Sequence, residues 1–389
     1  MTKSYRYNLF IIGLLFFIFG FITWINSILI PFLKRICELN ESQAYFVTFA
    51  FYIAYFVMAI PSSFILKKTG FPKGMALGLM VMAAGALCFI PAAVQKNYLL
   101  FLIGLFVQGT GLALLQTAAN PFVTILGPME SAAKRISIMG ISNKMAGMIG
   151  VFLLSKLLSD LSSSIILPYI IVAAILTGLA VMILFSKLPE IEPEKLPEAS
   201  SSKSIWDFPH LWLGVLAIFV YVGAEVIAID TLVLYGKSWG IDYNIASKFP
   251  IYSLVALTAG YLIGIVTMPK LISQRHALIV QTLSAIGLSL VVIFGTVKIS
   301  IIALILLSFT HAIMWPAIWP LSLEGLGKHT KLASAFLIMA IAGGAVLPLI
   351  YGRLAQSYTN QSAYFLLIPL YIIILFFACS GYRIGKKTE

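Results

Sequence analysis

The amino-acid sequence predicts an all-α membrane protein with twelve transmembrane helices, arranged as two pseudo-symmetric six-helix bundles. Of its 389 residues, 60% are hydrophobic and only 10% are charged, whereas about a quarter of the residues of a soluble chain are charged. Apolar runs long enough to cross roughly 30 Å of hydrocarbon recur along the whole sequence. One polar segment near the middle separates these runs into two groups of six.

The apolar runs are expected to be helices because every backbone polar group inside a bilayer must be hydrogen-bonded within the protein. The first run, LFIIGLLFFIFGFITWI, is too long for a signal-peptide core and has no small-residue cleavage site, so it is expected to remain as a span. Proline removes a backbone donor and predicts kinks or helix ends at Pro31, Pro121, Pro316, Pro320 and Pro348. The predicted spans are 8–33, 42–66, 74–94, 98–126, 132–156, 165–186, 209–236, 244–268, 277–296, 300–323, 331–355 and 363–384.

The polar segment 187–208, KLPEIEPEKLPEASSSKSIWDF, is rich in proline, acids and serine and predicts a solvated cytoplasmic linker. It separates an N-terminal bundle, 1–186, from a C-terminal bundle, 209–389. The two halves also share a weak internal repeat. SAAKRISIMGISNKMAG opens the fifth span and HTKLASAFLIMAIAGGA opens the eleventh. Duplicated halves around a central loop are typical of alternating-access transporters.

The formal net charge of +12 comes from Lys and Arg residues that lie mostly between the spans. Loops on the side of the two termini hold about twice as many of them as the opposite loops, which predicts that both termini are cytoplasmic. A nucleic-acid-binding function is disfavoured because no polar domain carries this charge.

Enzyme signatures are absent from the sequence. HExxH and GxSxG motifs are absent, and GLGKHT lacks the first glycine and the Ser or Thr of a phosphate-binding loop. Cys37, Cys88 and Cys379 are scattered, so they predict neither a disulfide framework nor a metal site. We therefore expect neither catalysis nor a bound cofactor.

Three charged residues fall inside predicted spans, where each costs about 2.5–3.5 kcal/mol on insertion scales. Lys144 lies in the fifth span, and Glu225 and Asp230 lie in the seventh. The two acids are about 140° apart around a helix, so they do not share a face and are candidate cation-coupling residues. Lys144 is expected to form a switchable contact with one of them across the two halves. The alternatives are an ion pair that only holds helices together, and side chains that reach the membrane interface.

The stretch LLQTAANPFVTILGP places two amides in the fourth span. Gln116 and Asn120 are one helical turn apart and share a face. Amides offer both donors and acceptors, as sugar hydroxyls require, and tryptophan rings can stack on the apolar face of a sugar. Hydrogen bonds that only join helices remain an alternative for each amide. The candidate substrate-binding residues are Trp24, Asn26, Gln116, Asn120, Asn143, Lys144 and Trp315.

Several motifs resemble the fucose:proton symporter family within the major facilitator superfamily, with bacterial glucose/galactose transporters as the most similar branch. They are LLQTAANPFVTILGP, WINSILIPFLK, AFYIAYFVMAIPSSFILKKTGFPKG, YVGAEV and WPAIWPLSLEGLGKHTKLASAFLIMAIAGGAVLPLIYG. The resemblance implies the major facilitator fold, a sugar site at mid-membrane and uptake coupled to a cation gradient. It also implies a gating loop at LKKTGFPKG, with Lys67, Lys68 and Lys73, although the usual Asp of that loop is missing.

Two departures from this family matter for coupling. Ser27 stands where fucose permeases carry an Asp, and Gln116 stands where they carry a Glu. The proton mechanism of those permeases therefore cannot be transferred to this chain unchanged.

The resulting interpretation is a monomeric importer of glucose or galactose in the inner membrane. Na⁺ is slightly preferred over H⁺ because the resemblance points to a sodium-dependent branch, and a proton on Glu225 is the alternative. A proton-coupled fucose or amino-sugar permease on the same scaffold is the second interpretation. A sensor or a channel is disfavoured because neither a signalling domain nor repeated filter motifs occur in the sequence.

Overall fold

A computed structural model describes residues 3–125, 132–158, 165–186, 204–268, 271–326 and 329–385. Helices account for nearly all of these residues, and no strand occurs among them. The all-α prediction is confirmed. In the first half the helices are α1 (Lys3–Trp24), α2 (Asn26–Ile36), α3 (Glu41–Ala44), α4 (Phe46–Leu87), α5 (Phe89–Gln95), α6 (Tyr98–Ile125), α7 (Ala132–Leu157) and α8 (Ile166–Phe185).

The second half contains α9 (Pro209–Asp230), α10 (Leu232–Ser238), α11 (Tyr243–Ala246), α12 (Phe249–Thr267), α13 (Gln274–Phe294), α14 (Val297–His311), α15 (Met314–Leu323), α16 (Thr330–Met339), α17 (Gly343–Ser357) and α18 (Leu367–Cys379). Short 3₁₀ turns occur at Ile205–Asp207, Ala340–Ala342, Ser362–Leu366 and Gly381–Arg383.

The described residues contain eleven helical segments that are long and apolar enough to cross a membrane. The longest, Glu41–Gln95, has 55 residues and includes a break at Gly70, where φ is 75° and ψ is 173°. Glycine adopts this conformation without a steric penalty. The segment therefore comprises two spans, and the prediction of twelve spans is confirmed. A tight junction at Gly70 takes the place of the longer loop that the sequence predicts over 67–73.

The first and seventh spans, each predicted as one helix, are broken at Ile25 and Thr231. Ser27 Oγ donates to the Trp24 carbonyl at 2.8 Å, and Thr231 Oγ1 donates to the Ile227 carbonyl at 2.7 Å. Hydroxyls that bond to the preceding turn of a helix often bend it. These breaks divide the first span into α1 and α2, and the seventh into α9 and α10.

Prolines accompany two further breaks. The tenth span is interrupted between α14 and α15, where Pro316 provides no N–H for the Ala312 carbonyl. The eleventh span is interrupted by the 3₁₀ turn Ala340–Ala342, and Pro348 lies in the helix that follows it. By contrast, α6 continues as one helix through residue 121.

The two halves repeat one close helix contact. In the first half, a Cβ added at Gly20 of α1 would lie 1.7 Å from the Asn143 carbonyl oxygen of α7. In the second half, a Cβ added at Gly343 of α17 would lie 1.8 Å from the Phe219 carbonyl oxygen of α9. Asn143 and Gly343 each lie five residues after the Ile of the shared Ile-Met pair. The weak sequence repeat thus corresponds to the same helix crossing, which supports the pseudo-symmetry.

Contacts between the halves involve α4 with α17 and α7 with α12. At the end of the bundle that carries α3, hereafter the α3 end, the rings of Tyr45 and Tyr351 pack edge to face with centroids 5.6 Å apart. Gly352 leaves room for Tyr45, because a Cβ there would lie 2.4 Å from Tyr45 Cδ2. The halves are therefore in close contact at the α3 end.

The linker 187–208 falls largely outside the described residues, and the division into 1–186 and 209–389 stays a prediction. Its last part, 204–208, differs from the solvated segment that the sequence predicts. Ile205 and Phe208 are buried and pack with Leu211, Leu326 and Ala333. The apolar side chains in IWDF explain this difference, because they bury surface that the preceding polar residues do not have.

Gly20→Ala is expected to destabilise the protein by about 1–3 kcal/mol, because a methyl group there overlaps the α7 backbone. The measurement is the melting temperature of the detergent-purified protein. Gly13→Ala on the same helix is the matched control, since its Cβ would be 3.8 Å from its nearest neighbour, an ordinary contact. Equal melting temperatures for the two variants would contradict the packing described at Gly20.

Candidate substrate and coupling site

The centre of the candidate site is a buried ion pair between the two halves. Lys144 Nζ on α7 lies 3.5 Å from Glu225 Oε1 on α9. The two residues are only 7% and 8% exposed, respectively. The sequence predicts that Lys144 pairs with one of the two membrane acids, and the structure identifies Glu225 as the partner. Because the pair joins residues from different halves, it can be made or broken when the halves move.

Trp24 of α1 completes the surroundings of Lys144. Lys144 Nζ lies 4.1 Å from the Trp24 ring centroid, a cation–π geometry. Trp24 Nε1 donates a hydrogen bond to Asn143 Oδ1 at 3.1 Å. Gly147, one turn after Asn143, makes space for the indole, since a Cβ there would lie 2.5 Å from Trp24 Cδ1. The sequence NKMAG of α7 therefore supplies the cation, the amide and the space for the ring.

Asn143 also contacts the backbone of α1. Its Nδ2 donates to the Phe16 carbonyl at 3.4 Å. The amide is thus held between Trp24 and Phe16 while its residue stays half-buried. This arrangement presents a polar group beside an aromatic ring, which is the combination that a sugar requires.

Gln116 lies on α6 and is half-buried. Its Nε2 donates to Tyr55 Oη on α4 at 2.9 Å, and the Tyr55 ring stacks with that of Tyr52 at 6.2 Å. Neither tyrosine is among the predicted site residues, although the AFYIAYF pattern places both in the same span. The side chain of Asn120, also predicted for this site, lies outside the described residues.

Trp315 of α15 lies near α9 as well. Its ring centroid is 6.4 Å from that of Tyr221, one turn before Glu225. Trp315 also stacks with Trp319 at 5.2 Å, and both rings are half-buried. Trp315 therefore lies near the helix that carries Glu225, with Tyr221 as the aromatic contact, whereas Trp24 contacts Lys144.

Asn26 and Asp230 are buried at the two breaks of the first and seventh spans. Each is 1% exposed. Asn26 Nδ2 and Asp230 Oδ1 have no hydrogen-bond partner among the described residues. Asp230 is covered by protein, which argues against the alternative in which its side chain reaches the membrane interface. The structure does not join either residue to Lys144.

His311 is a polar residue that the sequence analysis missed. It is buried at the end of α14, and its Nε2 is 2.7 Å from Tyr371 Oη. Its Nδ1 has no partner among the described residues. The Tyr221 ring lies 6.0 Å from the imidazole. The sequence shows His311 only as a single histidine in an apolar run. Such a histidine cannot be distinguished there from an ordinary packing residue.

The lysines of the predicted gating segment are not part of this cluster. Lys67, Lys68 and Lys73 are exposed and flank the junction at Gly70. Lys67 Nζ lies 5.6 Å from the Phe64 ring centroid. Their role in gating stays a prediction.

An apolar bundle of twelve spans with an ion pair at the contact of its halves is a polytopic membrane protein, and this arrangement is the one expected of a transporter. Residues 12–340 match the Major Facilitator Superfamily. The chain is 36% identical over 393 residues to the "Glucose/galactose transporter" of Brucella abortus biovar 1 (strain 9-941), a match that covers 97% of this chain and 95% of that protein. It is 30% identical over 407 residues to the "L-fucose-proton symporter" of Escherichia coli (strain K12), with 96% and 93% covered.

Two solved structures share the fold of this chain. The transporter FucP in the outward conformation is 29% identical, with a TM-score of 0.77 over 99% of this chain and 100% of that chain. The D-xylose-proton symporter shares the fold, with a TM-score of 0.74 and 15% identity over 99% and 100% of the two chains. The chain belongs to the Major Facilitator Superfamily. The predicted fold, family and transporter class are confirmed, and the relatives are transporters and not enzymes.

Lys144→Met and Glu225→Gln are each expected to lower stability by about 3 kcal/mol, because each leaves a buried charge without its partner. The double variant is expected to recover most of this loss, since it removes both charges. Melting temperatures of the four purified proteins provide the double-mutant cycle.

The matched control is the pair Lys34 and Glu41, whose side chains are 25% and 23% exposed. The same substitutions there are expected to cost less than about 1 kcal/mol. Additive losses at Lys144 and Glu225 would show that the two side chains are independent.

Proposed function

We propose that this protein is a cation-coupled symporter that imports a hexose, glucose or galactose, by alternating access. We place it in the inner membrane as a monomer with both termini in the cytoplasm, so the α3 end faces outward. The observation that carries the proposal is the cluster formed by Trp24, Asn143, Lys144 and Glu225. It combines a ring, an amide and an ion pair from both halves inside an apolar bundle, where such groups are costly unless they have a function.

The chemistry of the cluster suits a sugar. The indole of Trp24 offers an apolar face, while the amides of Asn143 and Gln116 offer donors and acceptors for hydroxyls. Gln116 cannot titrate, so on this proposal it binds substrate and does not carry a proton. The name of the relative from Brucella abortus, which matches nearly the full chain, supports glucose and galactose as the first substrates to test.

For the coupling ion we propose a proton. The resemblance to a sodium-dependent branch favours Na⁺, a preference that neither the structure nor the relatives support. Two arguments favour H⁺ instead. A relative at 30% identity is named a proton symporter, and two buried carboxylates, Glu225 and Asp230, can each bind one proton. Since fucose-type acids are replaced by Ser27 and Gln116, these carboxylates take over the coupling in our proposal.

Uptake of radiolabelled glucose into proteoliposomes tests substrate and ion together. We expect accumulation when a pH gradient, acidic outside, is imposed without Na⁺, and loss of accumulation when a protonophore is added. Accumulation that follows only an imposed Na⁺ gradient would reject the proton and restore the sodium interpretation.

The sugar is tested by competition in the same vesicles. Excess unlabelled galactose is expected to block glucose uptake, whereas fucose and glucosamine are expected to compete weakly. Strong competition by fucose or an amino sugar, with little glucose uptake, would favour the second interpretation, a fucose or amino-sugar permease.

Gln116→Ala is expected to raise the KM for sugar roughly tenfold, which corresponds to the loss of about 1.4 kcal/mol of hydrogen bonding. The Gln116 side chain bonds Tyr55 on α4 and carries no charge, so in this proposal it binds sugar and takes no part in proton transfer. The maximal rate is therefore expected to change less than the KM. Gln95→Ala, at an exposed position, is the matched control. An unchanged KM in Gln116→Ala would remove this residue from the sugar site.

A further inference from the structure

Asp230 differs from the other membrane acid in one respect that bears on coupling. Glu225 has a cationic partner, Lys144 Nζ, at 3.5 Å. Asp230 is 1% exposed, and its Oδ1 has neither a hydrogen-bond nor an ion-pair partner among the described residues. The two carboxylates on one helix therefore lie in different electrostatic environments.

A buried carboxylate without a partner is not stable as an anion. Removing a charge from water costs several kcal/mol unless a counter-charge or hydrogen bonds compensate, and a group in this position binds a proton instead. The arrangement around Asp230 thus fits the neutral acid. In this conformation Lys144 already compensates Glu225, so Asp230 is the carboxylate that needs a proton.

No cation is among the titratable groups that face Asp230 in the described part of the chain. Glu225 precedes Asp230 on the same helix, and Tyr45 and Tyr52 of the first half lie close enough to interact with the Asp230 carboxyl group. The cations at the end of α2 have other partners, Glu41 for Lys34 and the Leu158 carbonyl for Arg35. The remaining groups nearby are the tyrosines Tyr235, Tyr351 and Tyr364.

Asp230 lies next to the residues that close the α3 end. Thr231, the following residue, has its Oγ1 2.6 Å from Tyr364 Oη. The Tyr364 ring packs against Tyr351 at 4.9 Å, and Tyr351 packs against Tyr45 of the other half at 5.6 Å. This chain of contacts connects the break after α9 to the contact between the halves.

The α3 end carries a cavity between the two halves. It has a volume of about 560 Å³ and is lined by residues of both halves that include Lys34, Glu41, Trp239 and Gln356. Separation of Tyr45 from Tyr351 would open a route from this cavity toward Asp230. The carboxylate could then ionise, whereas renewed closure would bury it again.

We infer that Asp230 carries the coupling proton, and that it must be protonated before Tyr45 and Tyr351 can close the α3 end. This inference rests on the proposed cation-coupled symport and assigns the coupling to one of its two carboxylates. A proton taken up from the open α3 end is thereby trapped when the halves close.

The sign of the pH effect follows directly. The closed α3 end holds the neutral acid, so low pH favours closure and high pH opposes it. For one proton, the ratio of closed to open molecules changes by up to about tenfold per pH unit, over the pH range in which Asp230 ionises in the open form and stays protonated in the closed form. An Asp230→Asn variant stays neutral, and its ratio is expected to be independent of pH.

Double electron–electron resonance tests this without sugar, so its outcome is separate from that of glucose uptake. Spin labels are attached at Gln95 and Gln356, two exposed positions at the α3 end in different halves, after Cys37, Cys88 and Cys379 are replaced by serine. The full-length protein is measured in lipid nanodiscs over a pH series at fixed Na⁺, and over a Na⁺ series at fixed pH.

The short-distance population is expected to grow as pH falls in the parent protein, and to dominate at every pH in Asp230→Asn. Asp230→Ser is a second neutral variant in case the first does not fold. Asp242→Asn is the matched control, because Asp242 is exposed near the same end and asparagine preserves its capping bond to the Asn244 N–H. It is expected to behave like the parent.

Three results would overturn the inference. One is a pH response that persists in both neutral variants of Asp230. Another is a response that is absent in the parent or follows Na⁺ instead of pH. The third is a response that disappears in Glu225→Gln and persists in Asp230→Asn, which would assign the coupling to the ion pair.

Discussion

The ion pair between Lys144 and Glu225 constrains the rest of the structure. Either charge alone would be costly inside an apolar bundle, and together they are compensated only if α7 and α9 approach each other. The residues around the pair leave the space that this close contact of helices requires. Gly147 admits the ring of Trp24, which lies 4.1 Å from Lys144 Nζ, and Gly20 allows α1 to contact the α7 backbone. The packing of the first half thus positions a cation for an acid of the second half.

Helix breaks determine where the other polar groups lie. The first span breaks before Asn26 and the seventh after Asp230, so a buried polar side chain flanks each interruption. A continuous helix satisfies its own backbone, whereas a break leaves backbone groups that need other partners. In both spans a hydroxyl also bonds to a carbonyl in the turn before the break, that of Trp24 in the first span and that of Ile227 in the seventh. The breaks therefore place polar chemistry at equivalent positions of the two halves.

Much of the fold follows from composition, because span length and backbone satisfaction in lipid leave few alternatives to helices. The pairing of Lys144 was also predictable, since an isolated cation in a span requires an acid. The break at Ile25 was not, because no Gly or Pro marks it and a serine hydroxyl decides it. The roles of Tyr55 and His311 were missed for a related reason. A neutral polar residue in an apolar run gives no sign of which distant side chain it contacts.

The burial of Asp230 also could not be predicted from the sequence. It explains why two acids on one helix have different electrostatic environments. Their angular separation of about 140° is a property of the sequence, and it directs them toward different neighbours. Only the tertiary structure shows that one neighbour is a lysine and the others are tyrosines. A carboxylate beside a fixed cation maintains a link between the halves, while a carboxylate beside phenols depends on solvent access for its charge. Closure of the α3 end changes that access, which couples the ionisation of Asp230 to the movement of the halves.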